Sequence, residues 1–160
     1  MSFSPQSRVW IYQSNRKFNE AEEIEILQKL AAFTSQWKAH GNELLAKAEI
    51  RYGFFIILTV DENQANVTGC SIDSSVRLIK EIEQEYHVDL FNRFNIAYKV
   101  EDEVKVQGKE DFETLVSIKQ VTPETIVFNN MVQNLADLEN KWEVEFKNSW
   151  HSTVFAHLLQ

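Results

Sequence analysis

The apolar positions at the start of the chain follow first a strand period and then a helix period. Residues 8–13, RVWIYQ, are β-branched and aromatic and predict a strand. In residues 20–37 the apolar side chains recur every three or four positions, which predicts an amphipathic helix. These positions are Ile24, Leu27, Leu30, Ala31, Thr34 and Trp37. Asn19 is the expected N-cap, and Gly41 is expected to terminate the helix.

Two strands are predicted next, residues 43–51 and 54–61, joined at Gly53. The second strand is a continuous apolar run, FFIIL followed by TV, instead of an alternating pattern. A run of this kind is typical of a strand that is buried on both faces of its sheet. We therefore expect a covering layer on each side, supplied by the C-terminal third of the chain or by a second subunit.

A second amphipathic helix and a half-buried strand follow. Residues 72–86 carry apolar side chains at helical spacing, and this is the clearest helical pattern in the chain. Residues 94–100 alternate apolar and polar side chains, with residues 104–106 as a hairpin partner. The resulting order β-α-β-β-α-β is typical of a ferredoxin-like core, in which two helices cover one face of a mostly antiparallel sheet. The fold class predicted is α+β.

The length of the chain fits one domain. At 160 residues and 18.7 kDa, residues 1–160 are long enough to bury a substantial core. We assign the ferredoxin-like core to about residues 8–108 and a helical C-terminal addition to about residues 109–160. Within that addition, TPETIVFNN at residues 122–130 predicts a short strand.

Charge and composition exclude several classes of function. The net charge of −8 and the pI near 5.0 leave no basic stripe for nucleic acid. No apolar run is long enough to span a membrane, and no signal peptide is recognisable, so we expect a cytoplasmic protein. One cysteine and four histidines give neither a disulfide nor a metal cluster. Phosphate-binding glycine loops are absent from the sequence, and no cofactor is predicted.

The single cysteine, Cys70, lies in the segment TGCSIDSSVR at the expected start of the second helix. Free backbone N–H groups and the helix dipole at such a position stabilise a thiolate. Ser71 or Asp73 is the expected N-cap, and Ser74 adds a hydroxyl in the first turn. A structural cysteine beside a capped helix is the favoured interpretation, because free cysteines are often buried and Asp73 opposes a second anion. A functional thiol or an anion-binding loop is the alternative.

Further polar side chains beside large aromatic residues suggest a small-molecule pocket. His40 follows Trp37 in WKAHG, Asn130 ends the segment IVFNN, and Trp150 and His151 lie in SWHS. Apolar walls with a few placed polar groups are typical of ligand sites. The predicted binding residues are Trp37, His40, Cys70, Ser71, Asp73, Ser74, Asn130, Trp150 and His151.

Three functions follow from these patterns. The first is a non-catalytic module that binds a small polar ligand or a protein. The second is a thiol-dependent or acid/base enzyme, with Cys70 as nucleophile and His40 or His151 as base. The third is a homodimer that buries the apolar strand at residues 54–61 between two subunits.

The chain also resembles a family of small uncharacterised bacterial proteins. The resemblance rests on the segments WIYQSNRKF, WKAHG, GCSIDSSVRLIKEIE, FNR, IVFNN and SWHSTVF, and it extends over nearly the whole sequence. Members of that family sometimes carry the label ABC transporter ATPase. This sequence has no Walker A motif, so the phosphate chemistry that the label implies has no loop to support it. The resemblance implies no catalytic residue.

Overall fold

The structure, a computed structural model, describes residues 2–63 and 65–158. The described residues form nine strands and five α-helices, with all strand pairs antiparallel, and this confirms the predicted α+β class. In chain order the elements are β1 (Arg8–Gln13), α1 (Glu20–Gln36), β2 (Lys38–Ala39), β3 (Asn42–Glu43), β4 (Leu45–Arg51), β5 (Phe55–Asp61), α2 (Gly69–Tyr86), β6 (Asn95–Val100), β7 (Glu103–Gly108), α3 (Lys109–Ser117), β8 (Ile126–Phe128), α4 (Leu135–Lys141), β9 (Glu143–Glu145) and α5 (Trp150–Val154).

The first sheet has the order β1-β5-β4, and β5 is its central strand. Every residue of β5 is buried, as its continuous apolar sequence predicted. Ile56 and Leu58 pack into one hydrophobic cluster with α1 and α2, and Phe55 and Ile57 pack into a second cluster on the opposite face. The chain therefore covers both faces of β5 itself. A second subunit is not needed to explain the apolar strand, and homodimerisation stays a prediction.

The second sheet departs from the ferredoxin-like expectation. In that arrangement β6 would lie beside β1, but here it lies in a sheet of order β7-β6-β8-β9. The C-terminal strands β8 and β9 supply the pairing partners, and Val9 of β1 donates its backbone N–H to Gln133 O at 3.1 Å. The first sheet of the described chain thus has three strands, β1, β5 and β4, and β6, which would be the fourth strand of a ferredoxin-like sheet, is not paired with β1.

The start of α1 matches the prediction, and its buried face matches only in part. Asn19 forms a capping box with Glu22, with its side-chain oxygen accepting from Glu22 N at 2.8 Å. The buried residues are Ile26 and Leu30, whereas Ile24, which we expected to face the core, is 58% exposed. The helix has two adjacent rows of apolar side chains. The row that contains Ile26 and Leu30 is buried where α1 packs against β4, whereas Ile24 lies on the exposed row.

Gly41 does not terminate α1, which ends at Gln36. It forms the turn of the β2–β3 hairpin together with His40, and both residues have positive φ, 79° and 51°. Two consecutive residues of positive φ are typical of the type I′ turn that closes short hairpins.

The C-terminal residues contribute helices and the short strand β8, as expected, and also β9, which was not predicted. A third hydrophobic cluster joins the second sheet to α3 and to the residues around α5. It consists of Ile96, Tyr98, Phe112, Val116, Val121, Val127, Phe146 and Phe155. Helix α4 starts at Leu135, and Met131 before it is exposed. Two short 3₁₀ turns, Phe146–Asn148 and Ala156–Leu158, flank α5.

Candidate functional site

The predicted site residues are divided between two concavities of the described chain. The first, which we call the α2 groove, has a volume of about 430 Å³ and is lined by Lys38, His40, Thr68, Gly69, Cys70, Ser71 and Ser74. The second, which we call the β1 cleft, has a volume of about 650 Å³ and contains Asn130, Trp150 and His151 in its walls. The two concavities share no lining residue.

The α2 groove surrounds the first turn of α2, which begins three residues before the predicted start. Thr68 is therefore the N-cap, in place of the expected Ser71 or Asp73. The Ser71 hydroxyl completes a capping box by accepting from Thr68 N at 2.7 Å. Asp73 is exposed and lies outside both concavities. Sequence periodicity located the apolar part of the helix but could not locate its polar first turn.

Cys70 and His40 line the same groove, as the enzyme hypothesis requires. Both side chains are exposed, and no hydrogen bond joins them in the part of the chain that the structure describes. Trp37 is buried beneath the groove and donates its indole N–H to Ser71 O at 2.9 Å. That bond holds the hairpin turn against α2, so Trp37 has a structural role here. A thiol enzyme stays a prediction.

We expect Cys70 to react with iodoacetamide in the folded protein, because its side chain is exposed at the start of α2. The rate should match that of the urea-unfolded chain within about an order of magnitude, since accessibility does not limit the reaction. Mass spectrometry of the alkylated protein measures both rates. A thiol that reacts only after unfolding would contradict the exposed position.

The β1 cleft lies between the outer edge of β1 and the first half of β6, where the fourth ferredoxin-like strand would pair. Ser14 N donates to Phe54 O at 2.8 Å, and the same register pairs Ile11 with Ile57. In an antiparallel ladder alternate residues bond to the partner strand, so Ile11 turns its backbone N–H and C=O away from β5 and toward the cleft. Asn95 lines the opposite side.

A row of hydrogen-bonded amides connects the two sides of the cleft. Trp142 Nε1–H donates to Asn130 Oδ1 at 2.9 Å, and Asn130 Nδ2 donates to Gln13 Oε1 at 2.8 Å. Gln13 Nε2 then donates to the backbone oxygen of Asn95 at 3.0 Å. Each side-chain amide uses both of its ends, which fixes its orientation. The row presents polar groups that are held in place before any ligand arrives.

Two buried polar atoms beside the cleft have no hydrogen-bond partner within the described residues, His151 Nδ1 and Asn95 Nδ2. His151 is 2% exposed, and the Trp150 ring stacks on its imidazole with the ring centroids 3.8 Å apart. Burial lowers the pKa of His151 from 6.5 to about 4, so the imidazole is neutral at neutral pH. His151 and Cys70 line different concavities, so the structure does not bring them together as a base and a nucleophile.

The charges around the cleft are unlike those of the whole chain. Asp and Glu make up 24 of the 160 residues, yet neither is present among the residues that line the cleft. Arg8 and Arg93 do line it. Arg8 lies over the Trp10 ring at 4.8 Å and approaches Glu62 at 3.9 Å. Arg93 is exposed and forms no ion pair with any residue that the structure describes.

Sequence reasoning missed Gln13, Asn95 and Arg93. A glutamine at the end of an apolar strand, as in RVWIYQ, was an available signal, because a polar side chain there needs a buried partner. The partner, Asn130, is 117 positions away in the chain. No sequence spacing connects two residues at that separation.

No protein-family model, curated protein or solved structure matches this chain. The resemblance to a bacterial family therefore stays a prediction.

Among the described residues, no helix is both long enough and apolar enough to cross a membrane. The same residues contain no group of three or more His, Cys, Asp or Glu side chains placed to hold a metal ion. A cytoplasmic location stays a prediction from the sequence.

Proposed function

We propose that this protein is a small-ligand-binding module and that the ligand binds in the β1 cleft. The observation that carries the proposal is the fixed amide row Trp142–Asn130–Gln13, which crosses a cleft with aromatic walls. A volume of about 650 Å³ lies within the range of small-molecule sites. Pre-organised polar groups between apolar walls give such sites their specificity.

The lining residues support binding more than catalysis. The cleft walls in the described chain include no Ser, Thr, Cys, Lys, Asp or Glu side chain, so the usual nucleophiles and carboxylate bases are missing. The only imidazole, that of His151, has its pKa lowered to about 4 by burial, which makes it a weak base. The polar groups that remain are amides, guanidinium groups, indole N–H groups, a phenol and backbone groups, which suit recognition of a ligand more than its chemical conversion.

A screen of small aromatic compounds by protein-observed NMR tests this proposal. We expect compounds that bind to shift the amide resonances of Ile11, Asn95 and Gln133, which line the β1 cleft, and not those of Cys70 and Ser74 in the α2 groove. Trp150→Ala should weaken binding about threefold to tenfold, because one aromatic wall is lost.

The matched control is Phe94→Ala, which removes an aromatic ring that is 68% exposed and lies outside the cleft lining. This variant should bind the same compounds as the unmodified protein does. Compounds that shift only the α2-groove resonances, or a screen in which no compound shifts the cleft resonances, would contradict the proposal.

A further inference from the structure

We infer that the β1 cleft selects an anion: a small aromatic molecule that carries a carboxylate or phosphate group, with the anionic group bound at Arg93. The inference deepens the proposed function and rests on it, since it names the class of ligand for the same cleft. Three features of the described residues carry it: the charge of the lining, the position of Arg93, and the rings around it.

The lining is cationic in a strongly acidic protein. With a net charge of −8, the protein surface as a whole repels anions, and a local excess of positive charge is needed to retain one. Arg8 and Arg93 supply that charge, and no Asp or Glu of the described chain lines the cleft to oppose it. Lys80 lies outside the lining, with its Nζ 5.9 Å from the centre of the Phe91 ring, so the charge of the lining itself comes from the two arginines.

Arg93 is the arginine that is free to bind. The Arg8 guanidinium already lies over Trp10 and near Glu62, whereas Arg93 has no carboxylate partner among the described residues. Its loop is held in place, because Asn92 Oδ1 accepts from Phe94 N at 2.9 Å. A guanidinium group presents paired N–H donors that match the two oxygens of a carboxylate or phosphate.

The neighbouring groups indicate the rest of the ligand. Phe91, two residues before Arg93, packs edge-on against Tyr12 with the ring centroids 5.4 Å apart, and both rings line the cleft. Trp10 and Trp150 add two further aromatic surfaces. A planar apolar body fits between such walls, since aromatic rings favour stacked and edge-to-face contacts. Within the described residues the backbone N–H of Ile11 has no partner, so it adds one more donor toward an anionic oxygen.

Three probes of the same size separate charge from shape. Phenylacetate and phenyl phosphate carry the two anionic groups, and phenylacetamide is the uncharged isostere of phenylacetate. Titrations followed by the amide resonances of Ile11 and Asn95 give the dissociation constants at millimolar probe concentration. We expect phenylacetate to bind about tenfold to a hundredfold more tightly than phenylacetamide. The reason is that uncharged phenylacetamide cannot form the charge-assisted pair of hydrogen bonds between a carboxylate and the Arg93 guanidinium. The tighter of the two anions identifies the group that the natural ligand carries.

The variant Arg93→Gln tests whether Arg93 causes the preference for an anion. The variant should remove most of the preference for the anion over phenylacetamide and leave the affinity for phenylacetamide unchanged. Arg77→Gln is the matched control, because Arg77 is exposed on α2 and outside the cleft, and it should retain the full preference. Both arginines are exposed in the described structure, so thermal unfolding should show the same stability for both variants.

The outcomes distinguish this inference from the proposed function. If phenylacetamide binds in the cleft as tightly as phenylacetate, or if Arg93→Gln keeps the anion preference, the β1 cleft is still a ligand site. The inference that Arg93 selects an anion is then wrong. If none of the three probes shifts the cleft resonances while other aromatic compounds do, the anion inference fails alone. If no compound of any kind shifts them, the proposed function and this inference fail together.

Discussion

Replacement of Trp142 by alanine should lower the free energy of unfolding by about 3–5 kcal/mol, as truncation of a buried aromatic side chain usually does. Trp142 is 1% exposed and lies against Phe55 and Phe128, with ring centroids 4.8 and 4.9 Å away. Its indole N–H also donates to Asn130 Oδ1 at 2.9 Å. The substitution therefore opens a cavity and leaves one end of the amide row unpaired. Equilibrium unfolding in urea measures the effect.

Two further variants separate packing from hydrogen bonding. Trp142→Phe keeps most of the aromatic packing and removes the indole donor, so we expect a smaller loss of about 1–3 kcal/mol from the unpaired Asn130 oxygen. Trp150→Ala is the control for removal of a tryptophan as such. Trp150 is 41% exposed, and its loss should change stability far less than the loss of Trp142. Equal losses for Trp142→Ala and Trp150→Ala would contradict the buried position of Trp142.

The fold could be predicted where one segment carried its own signal. The continuous apolar sequence of β5 predicted burial on both faces, and the structure confirms it with two hydrophobic clusters on opposite sides. The N-cap at Asn19 was also predicted, and the residue whose backbone N–H it accepts, Glu22, lies only three positions away. Local signals of this kind depend on the backbone geometry of one element, which the nearby sequence determines.

The pairing of β6 could not be predicted from local sequence. Residues 95–100 have the correct period for a strand, but the period does not determine which other strand pairs with them. Here Val127 of β8 pairs with Tyr98 of β6, and within the described residues no strand pairs with β1 at Ile11 on the side away from β5. The choice depends on contacts between segments that are far apart in the chain. The same choice creates the β1 cleft, so the candidate site could not be predicted without it.

The candidate site was therefore only partly predictable. The sequence drew attention to the polar side chains of Asn130 and His151 beside large aromatic residues such as Trp150. All three residues line the β1 cleft. Cys70 and His40 attracted attention for their own chemistry, and they lie together in the separate α2 groove. Residue type identified the candidates, but only the tertiary structure could sort them into two concavities.

Acid should destabilise the protein through His151, by about 3 kcal/mol between pH 6.5 and pH 4. Burial lowers the pKa of this imidazole to about 4 in the folded protein, whereas an exposed histidine has a pKa of 6.5 in the unfolded chain. Between these two values the unfolded chain binds a proton that the folded protein does not. The contribution is therefore complete above pH 6.5, and it is lost as the pH falls toward 4.

His151→Leu should remove this dependence, because leucine neither titrates nor leaves a buried nitrogen without a partner. Urea unfolding should show little slope for this variant between pH 6.5 and about pH 5, above the range in which carboxylates titrate, whereas exposed His157→Gln should retain the slope of the unmodified protein. Glu22 does not account for the effect. Its hydrogen bond with Arg16 lowers its pKa from 4.5 to about 2, which places its transition below that of His151. A slope that survives unchanged in His151→Leu would show that other groups cause it, and it would contradict the lowered pKa of His151.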